Sequence, residues 1–209
     1  MLEVLERIRG GRPWLLVSVQ ALHRFYTRSQ EVVGSWMTRE DRELAIADNV
    51  TYVSRVVAEV RRQAPTTECV VYAGFSQGVA MAYRALAFTA EQPAGARANR
   101  LGGQGFGSDI RIPRAAGGIL LAGDVPPDVA PRLGSLPPLL IGRGTKDDWY
   151  TEAKAAADLA LFTNAGVSPA FHVFAGGHVW HDAFIAAAGQ FLDDTMSRTI
   201  VHDHHAENG

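Results

Sequence analysis

Residues 69–88 read CVVYAGFSQGVAMAYRALAF. The first five, Cys69-Val70-Val71-Tyr72-Ala73, are an apolar, β-branched and aromatic run of strand length. Residues 79–88, rich in Ala, Met and Leu, predict a helix. Between the two stands Gly74-Phe75-Ser76-Gln77-Gly78, a G-x-S-x-G run. With nine Ser and 21 Gly in 209 residues, chance supplies about 0.09 such runs per chain of this composition. The strand–turn–helix setting strengthens the signal, because a nucleophile elbow needs it. The turn strains the serine, and glycines on both sides avoid collisions with the neighbouring strand and helix. Ser76 would then stand at the C-terminal edge of a sheet, where α/β proteins place ligands. The plainer alternative is a buried serine in a glycine-rich turn.

Outward from this run, strand-like and helix-like segments alternate. Residues 14–19 (Trp-Leu-Leu-Val-Ser-Val) read as a strand, followed by a polar stretch and a helix over residues 39–62. Ile46, Val50, Val53, Val57 and Val60 recur every three or four positions on that helix. Thr38 and Asp41 resemble a capping box opening it, and Pro65 closes it. Further strands are expected at 119–122, 139–141 and 170–174, and further helices at 151–163 and 181–198. Strands that are apolar throughout and separated by helices predict a mostly parallel sheet with helices on both faces.

A serine hydroxyl is a poor nucleophile near neutral pH without a base beside it. The base should follow a late strand, and Gly176-Gly177-His178 fits. The acid should follow an intermediate strand, and Gly142-Arg143-Gly144-Thr145-Lys146-Asp147-Asp148 fits. The order Ser76, Asp147, His178 is that of the α/β hydrolases and not of the other serine-protease folds. Asp148 competes with Asp147, and spacing alone does not separate them. His181 competes with His178, but the paired glycines favour a tight loop at His178. A zinc site from His178, His181 and an Asp lacks a third ligand at metal-like spacing. His23 and His172 read as packing or surface residues.

Composition sets the outer bounds. The 209 residues predict one domain over 1–198, with a Gly/Pro-rich insertion at 89–117 and a mobile tail at 199–209. The insertion is either a functional loop or a mobile segment. Its cluster Gly102-Gly103-Gln104-Gly105-Phe106-Gly107 follows no strand, which disfavours a phosphate cradle. The tail His202-Asp203-His204-His205 could ligate a metal, but its terminal position favours no metal site. Lys+Arg 20 against Asp+Glu 22, with no basic run, disfavours nucleic acid as a partner. One cysteine, Cys69, excludes an internal disulfide framework and favours a reduced, cytoplasmic setting. No apolar run reaches about 18 residues, so no membrane span is expected. The acidic N-terminus does not look like a signal peptide.

Gly74-Phe75-Ser76-Gln77-Gly78, Gly144-Thr145-Lys146-Asp147 and Gly177-His178 together resemble the phospholipase/carboxylesterase family of α/β hydrolases, which includes acyl-protein thioesterases and small bacterial esterases. The resemblance covers residues 14–192 apart from 89–117. It implies the α/β-hydrolase fold and a serine hydrolase of carboxylic esters or thioesters that needs no cofactor. It aligns the acid with Asp147, and it places Ser35-Trp36-Met37 near the pocket. The backbone N–H of Gln77 would serve the oxyanion hole. Trp36, Met37, Phe75, Trp149 and Trp180 are candidates for an apolar acyl wall, with ordinary core packing as the alternative for each. One departure stands out: the family's first strand ends in His-Gly, whose loop gives the second oxyanion donor, and no His-Gly occurs here. The expectation is a chain shortened at its N-terminus, with an unpaired sheet edge that favours a homodimer. A non-catalytic homologue acting as a binding protein is the rival reading. A Cys-type lactone hydrolase is disfavoured, since the elbow holds Ser.

Overall fold

The computed structural model describes residues 1–91 and 113–206, with residues 200–206 as backbone alone. The elements run α1 (Leu2–Arg9), β1 (His23–Tyr26), β2 (Val32–Ser35), α2 (Arg42–Gln63), β3 (Val70–Phe75) and α3 (Gln77–Glu91). Then follow β4 (Ala115–Leu121), a 3-10 turn (Ala130–Ser135), β5 (Leu139–Gly144), α4 (Glu152–Asn164), β6 (Ala170–Phe174) and α5 (Asp182–Ala206). β3, β4, β5 and β6 form a parallel sheet in that order. Each strand therefore pairs with the next one in sequence. Right-handed crossovers in one direction put the connecting helices α3 and α4 on the same face.

Side-chain alternation along the strands divides the core accordingly. Leu120 of β4 and Leu139 and Ile141 of β5 pack with Leu86, Tyr83 and Phe162 of α3 and α4. Ile119, Leu121 and Leu140 point the other way, onto Ile8 of α1 and Phe184, Ala188 and Phe191 of α5. Arg12 fastens the turn after α1 to α5, donating from Nε and Nη2 to Asp193 at 2.5 and 2.7 Å. A third cluster joins α2 to α3 through Val50, Val53, Met81 and Ala85. The fold is that of an α/β hydrolase, with helices on both faces of the sheet as the sequence predicts.

Three expectations need correction. Residues 14–19 join no strand ladder. Its side chains pack individually instead of forming one buried face, so the apolar run does not act as a strand. Trp14 and Val19 pack onto separate clusters, while Leu15 and Val17 face solvent. The polar stretch beyond it contains the antiparallel hairpin β1–β2, which the sequence reading passes over. Thr38 and Asp41 form no capping box. Asp41 itself is the N-cap of α2, in the left-handed region at φ 49° with no side-chain cap, and Thr38 Oγ1 donates instead to the Glu40 carbonyl. The insertion core, Gly102–Gly107 included, lies outside the described residues. So do the side chains of His202, His204 and His205, although the backbone of α5 continues to Ala206.

Candidate active site

Ser76 occupies the single residue between β3 and α3, in the left-handed region at φ 53°. A non-glycine residue there is strained, and neighbours hold it in place. Its N–H donates to the Leu121 carbonyl on β4 at 3.0 Å, and its carbonyl accepts from Val79 N at 3.0 Å. The close approach falls on Gly74, where a Cβ would sit 2.6 Å from the Gly78 carbonyl oxygen. At Gly78 a Cβ would meet only the Trp36 indole, at 3.9 Å. The steric demand of the elbow is thus carried by Gly74, not shared equally as the sequence suggests.

Asp147 and His178 are brought together by a backbone crossing. Lys146 N–H donates to the Gly176 carbonyl at 2.8 Å, and Thr145 N–H to the Phe174 carbonyl at 2.9 Å. A Cβ on Gly144 would overlap the carbonyl oxygens of Gly176 and Gly177, so only glycine fits where the two loops touch. Asp147 is buried and its carboxylate meets His178 Nδ1 at 3.0 and 3.1 Å. Oδ1 also accepts the backbone N–H groups of Trp149 and Tyr150, both at 2.9 Å. Burial pushes this carboxyl upward, but the Tyr150 and Trp149 N–H groups and His178 outweigh it, leaving Asp147 below the usual carboxylate range.

His178 follows β6, three strands away from β3, a separation of about 14 Å at ordinary strand spacing. The loop reaches back across that gap. The Phe75 ring, on the residue before Ser76, lies 4.8 Å from the His178 ring. Among the described residues, His178 hydrogen-bonds to Asp147 alone, and Ser76 Oγ makes no hydrogen bond to it. The competitors sit elsewhere. Asp148 is exposed. His181 stacks on Phe174 at 5.0 Å and its Nδ1 accepts from Ala183 N at 3.2 Å, opening α5. His172 packs against Phe184, and His23 lies 3.4 Å from Asn49 Nδ2. Among the described residues, no three His, Cys, Asp or Glu side chains gather as metal ligands.

The residues named as an acyl wall divide. Trp36 and Met37 lie on a strap after β2 that crosses the elbow. The strap is tied down by the Gln77 side chain, whose Oε1 accepts Trp36 N–H at 2.9 Å and whose Nε2 donates to Ser35 Oγ at 3.1 Å. From α2, Asn49 Nδ2 donates to the Trp36 carbonyl at 3.3 Å. Beneath the strap the buried Arg84 pairs with Asp128 at 2.7 and 2.8 Å and points Nη1 at Met37 Sδ, 3.4 Å away. Phe75 and Trp180 are half-buried, 5.8 Å apart, behind His178. Trp149 is 75% exposed, so its ring stands in solvent beside the acid turn. Gln77 opens α3, where the first N–H groups have no partner within the helix, so its backbone N–H is free to face an anion.

Sequence reasoning misses the groups that hold these loops. Asp158 on α4 accepts the Tyr150 hydroxyl at 2.9 Å and Val125 N–H at 3.1 Å. A signal existed: Asp158 falls at the spacing of Ala155 and Phe162, on the apolar face of its helix.

No family model and no curated protein sequence matches the chain. Solved structures do. SOBER1 of Arabidopsis thaliana is similar with a TM-score of 0.63 at 18% identity, over 92% of this chain and 90% of that one. A Bacillus cereus carboxylesterase is similar with a TM-score of 0.61 at 17% identity, over 93% and 81%. Acyl-protein thioesterase 2 of Zea mays gives 0.51 at 18% identity, over 80% and 74%. At such identities the likeness speaks for the fold alone.

Proposed function

We propose that this chain is a serine hydrolase that cleaves carboxylic esters or thioesters through an acyl-enzyme on Ser76. The observation that carries the reading is the buried, ionised Asp147 on His178 Nδ1, with Phe75, next to Ser76, against the same imidazole ring. With Nδ1–H committed to Asp147, Nε2 is left as the basic nitrogen. On substrate binding it closes onto Ser76 and takes the hydroxyl proton as Oγ bonds to the acyl carbon. Hydrogen bonds of this kind are often open in a free enzyme and tighten on the substrate. The carbonyl oxygen becomes an oxyanion facing Gln77 N–H. Collapse breaks the bond to the alkoxide or thiolate, which leaves with the proton from His178. Water then repeats the cycle: His178 takes its proton as the water oxygen bonds to the acyl carbon, the bond to Oγ breaks, His178 returns the proton to Oγ, and the acid product leaves Ser76 free.

Two of the similar structures are named as a carboxylesterase and an acyl-protein thioesterase, which supports the substrate class. A rival reading, a binding protein without turnover, draws on the open Ser76–His178 contact. A fluorophosphonate probe and p-nitrophenyl esters separate the two. The hydrolase reading expects labelling and turnover that vanish in Ser76→Ala; equal labelling of that variant, or no Ser76-dependent rate, favours the rival. No described helix is long and apolar enough to cross a membrane.

A further inference from the structure

Asp158 is 6% exposed, and the relay of Ser76, His178 and Asp147 does not use it. An apolar residue at this position would pack α4 at lower cost, since burial drives the carboxyl above its usual range. What the carboxylate adds is one acceptor for donors from two different loops. Val125 N–H comes from the loop after β4, and the Tyr150 hydroxyl comes from the turn after β5. Tyr150 is 2% exposed and is held at both ends: its hydroxyl on Asp158, its N–H on Asp147 Oδ1. The nearby groups are Asp124, Lys154, which pairs with Asp124 at 3.7 Å, and Tyr83, whose buried hydroxyl has no hydrogen-bond partner among the described residues. Among the described residues, Asp158 is the one that hydrogen-bonds the Tyr150 hydroxyl.

We propose that Tyr150 and Asp158 are positioning residues: the Tyr150 hydroxyl, anchored on Asp158, sets the turn whose N–H groups aim Asp147 at His178. This deepens the hydrolase reading and rests on it for the role of the acid–base pair. Asp147 accepts from two successive N–H groups of one turn, so a tilt of the Tyr150 ring turns both donors together and swings the carboxylate off Nδ1.

Two readouts test this. One is ester hydrolysis; the other is the ¹⁵N shift of His178 Nδ1, which reports its hydrogen bond to Asp147 without turnover. Tyr150→Phe is expected to lower kcat about tenfold with KM within about twofold, the size of effect that a small misplacement of a catalytic group produces. The Nδ1 shift moves with it. Asp158→Asn keeps an oxygen acceptor for both donors and is expected to hold kcat within about threefold of wild type, while Asp158→Leu behaves like Tyr150→Phe. Adding Asp158→Leu to Tyr150→Phe should cost little more than either alone, because both break one link. Wild-type kcat and an unmoved Nδ1 shift in folded Tyr150→Phe overturn the proposal. So does an equal loss in Asp158→Asn and Asp158→Leu. If Ser76→Ala hydrolyses esters as fast as wild type, the hydrolase reading falls, and the Nδ1 shift in Tyr150→Phe still decides the positioning role.

Discussion

Asp147 illustrates how one residue is fixed by its donors. Buried carboxylates resist ionisation, yet three hydrogen bonds from His178, Trp149 and Tyr150 keep this one charged. Asp147→Asn keeps the shape and removes the charge, so it is expected to lower kcat by about 10³–10⁴ in steady-state ester hydrolysis while Ser76 remains in place. The same carboxylate has a pH signature in stability. Its folded pKa lies below the unfolded value of about 3.9, so its contribution is present above that value and is lost as pH falls through the folded pKa. Denaturant unfolding from pH 6 downward should show the wild-type advantage over Asp147→Asn shrinking below about pH 4. A constant gap across that range would mean that the charge adds nothing to the fold. Gly144 gives a second residue-scale expectation. Gly144→Ala forces a methyl group into the Gly176 and Gly177 carbonyls and must part the loops that carry Asp147 and His178. Loss of both activity and several degrees of Tm is expected, whereas Gly78→Ala, which meets only an ordinary contact, should be far milder.

At the scale of elements, the strap over the elbow and the loop after β4 are held by polar side chains as well as by core packing, through Trp36 in the strap and Val125 and Val129 in the loop. Gln77→Ala keeps the backbone N–H proposed to face the oxyanion but removes the ties to Ser35 and Trp36 N–H, leaving the Asn49 bond to the Trp36 carbonyl. It is expected to raise KM about three- to tenfold with a smaller change in kcat, the worth of one or two hydrogen bonds; a fall in kcat at constant KM would place the side chain in the chemistry instead. Under the strap, Asp128→Ala strands the buried Arg84 guanidinium. A fully buried pair loses about 3–5 kcal/mol on such a change, and the part-exposed Asp128 lowers that to about 2 kcal/mol. Arg84→Met together with Asp128→Ala should recover most of it in urea unfolding. These ties explain what the sequence conceals. β4 and β5 are legible as apolar runs that are mostly buried, β3 and β6 as apolar runs that are only partly covered, and the positions just past the ends of β3, β5 and β6 carry Ser76, Asp147 and His178. Residues 14–19 give the same signal but join no ladder, although β3 and β6 are each paired on one side only among the described residues. The hairpin β1–β2 is hidden for the opposite reason: it turns Phe25, Tyr26 and Val32 toward solvent, so no buried face imposes a period. The links from Gln77 to the strap and from Asp158 to Tyr150 join residues on different elements; the helical spacing marks Asp158 as buried, but no local pattern names the partners.

Across the whole molecule, the sheet separates two cores that share no side chains, and the His178 ring adjoins one of them. On the α5 face a chain of rings leads to the imidazole: Phe184 lies 5.9 Å from Trp180, Trp180 lies 5.8 Å from Phe75, and Phe75 lies 4.8 Å from His178. On the α3 face Leu86 is fully buried against the opposite side of the sheet and touches no part of that chain. Phe184→Leu and Leu86→Val remove comparable volume from the two cores, and each is expected to cost about 1–1.5 kcal/mol in denaturant unfolding. With the sheet between them the two costs should add to within about 0.5 kcal/mol in the double variant. Their effects on ester hydrolysis should differ. Phe184→Leu loosens the ring stack behind His178 and lowers kcat, whereas Leu86→Val leaves kcat near wild type at equal loss of stability. Equal falls in kcat would mean that the base loop answers to global stability and not to the stack. A coupling energy well above about 0.5 kcal/mol would mean that the two faces behave as one core, with the strands transmitting strain from α3 to α5.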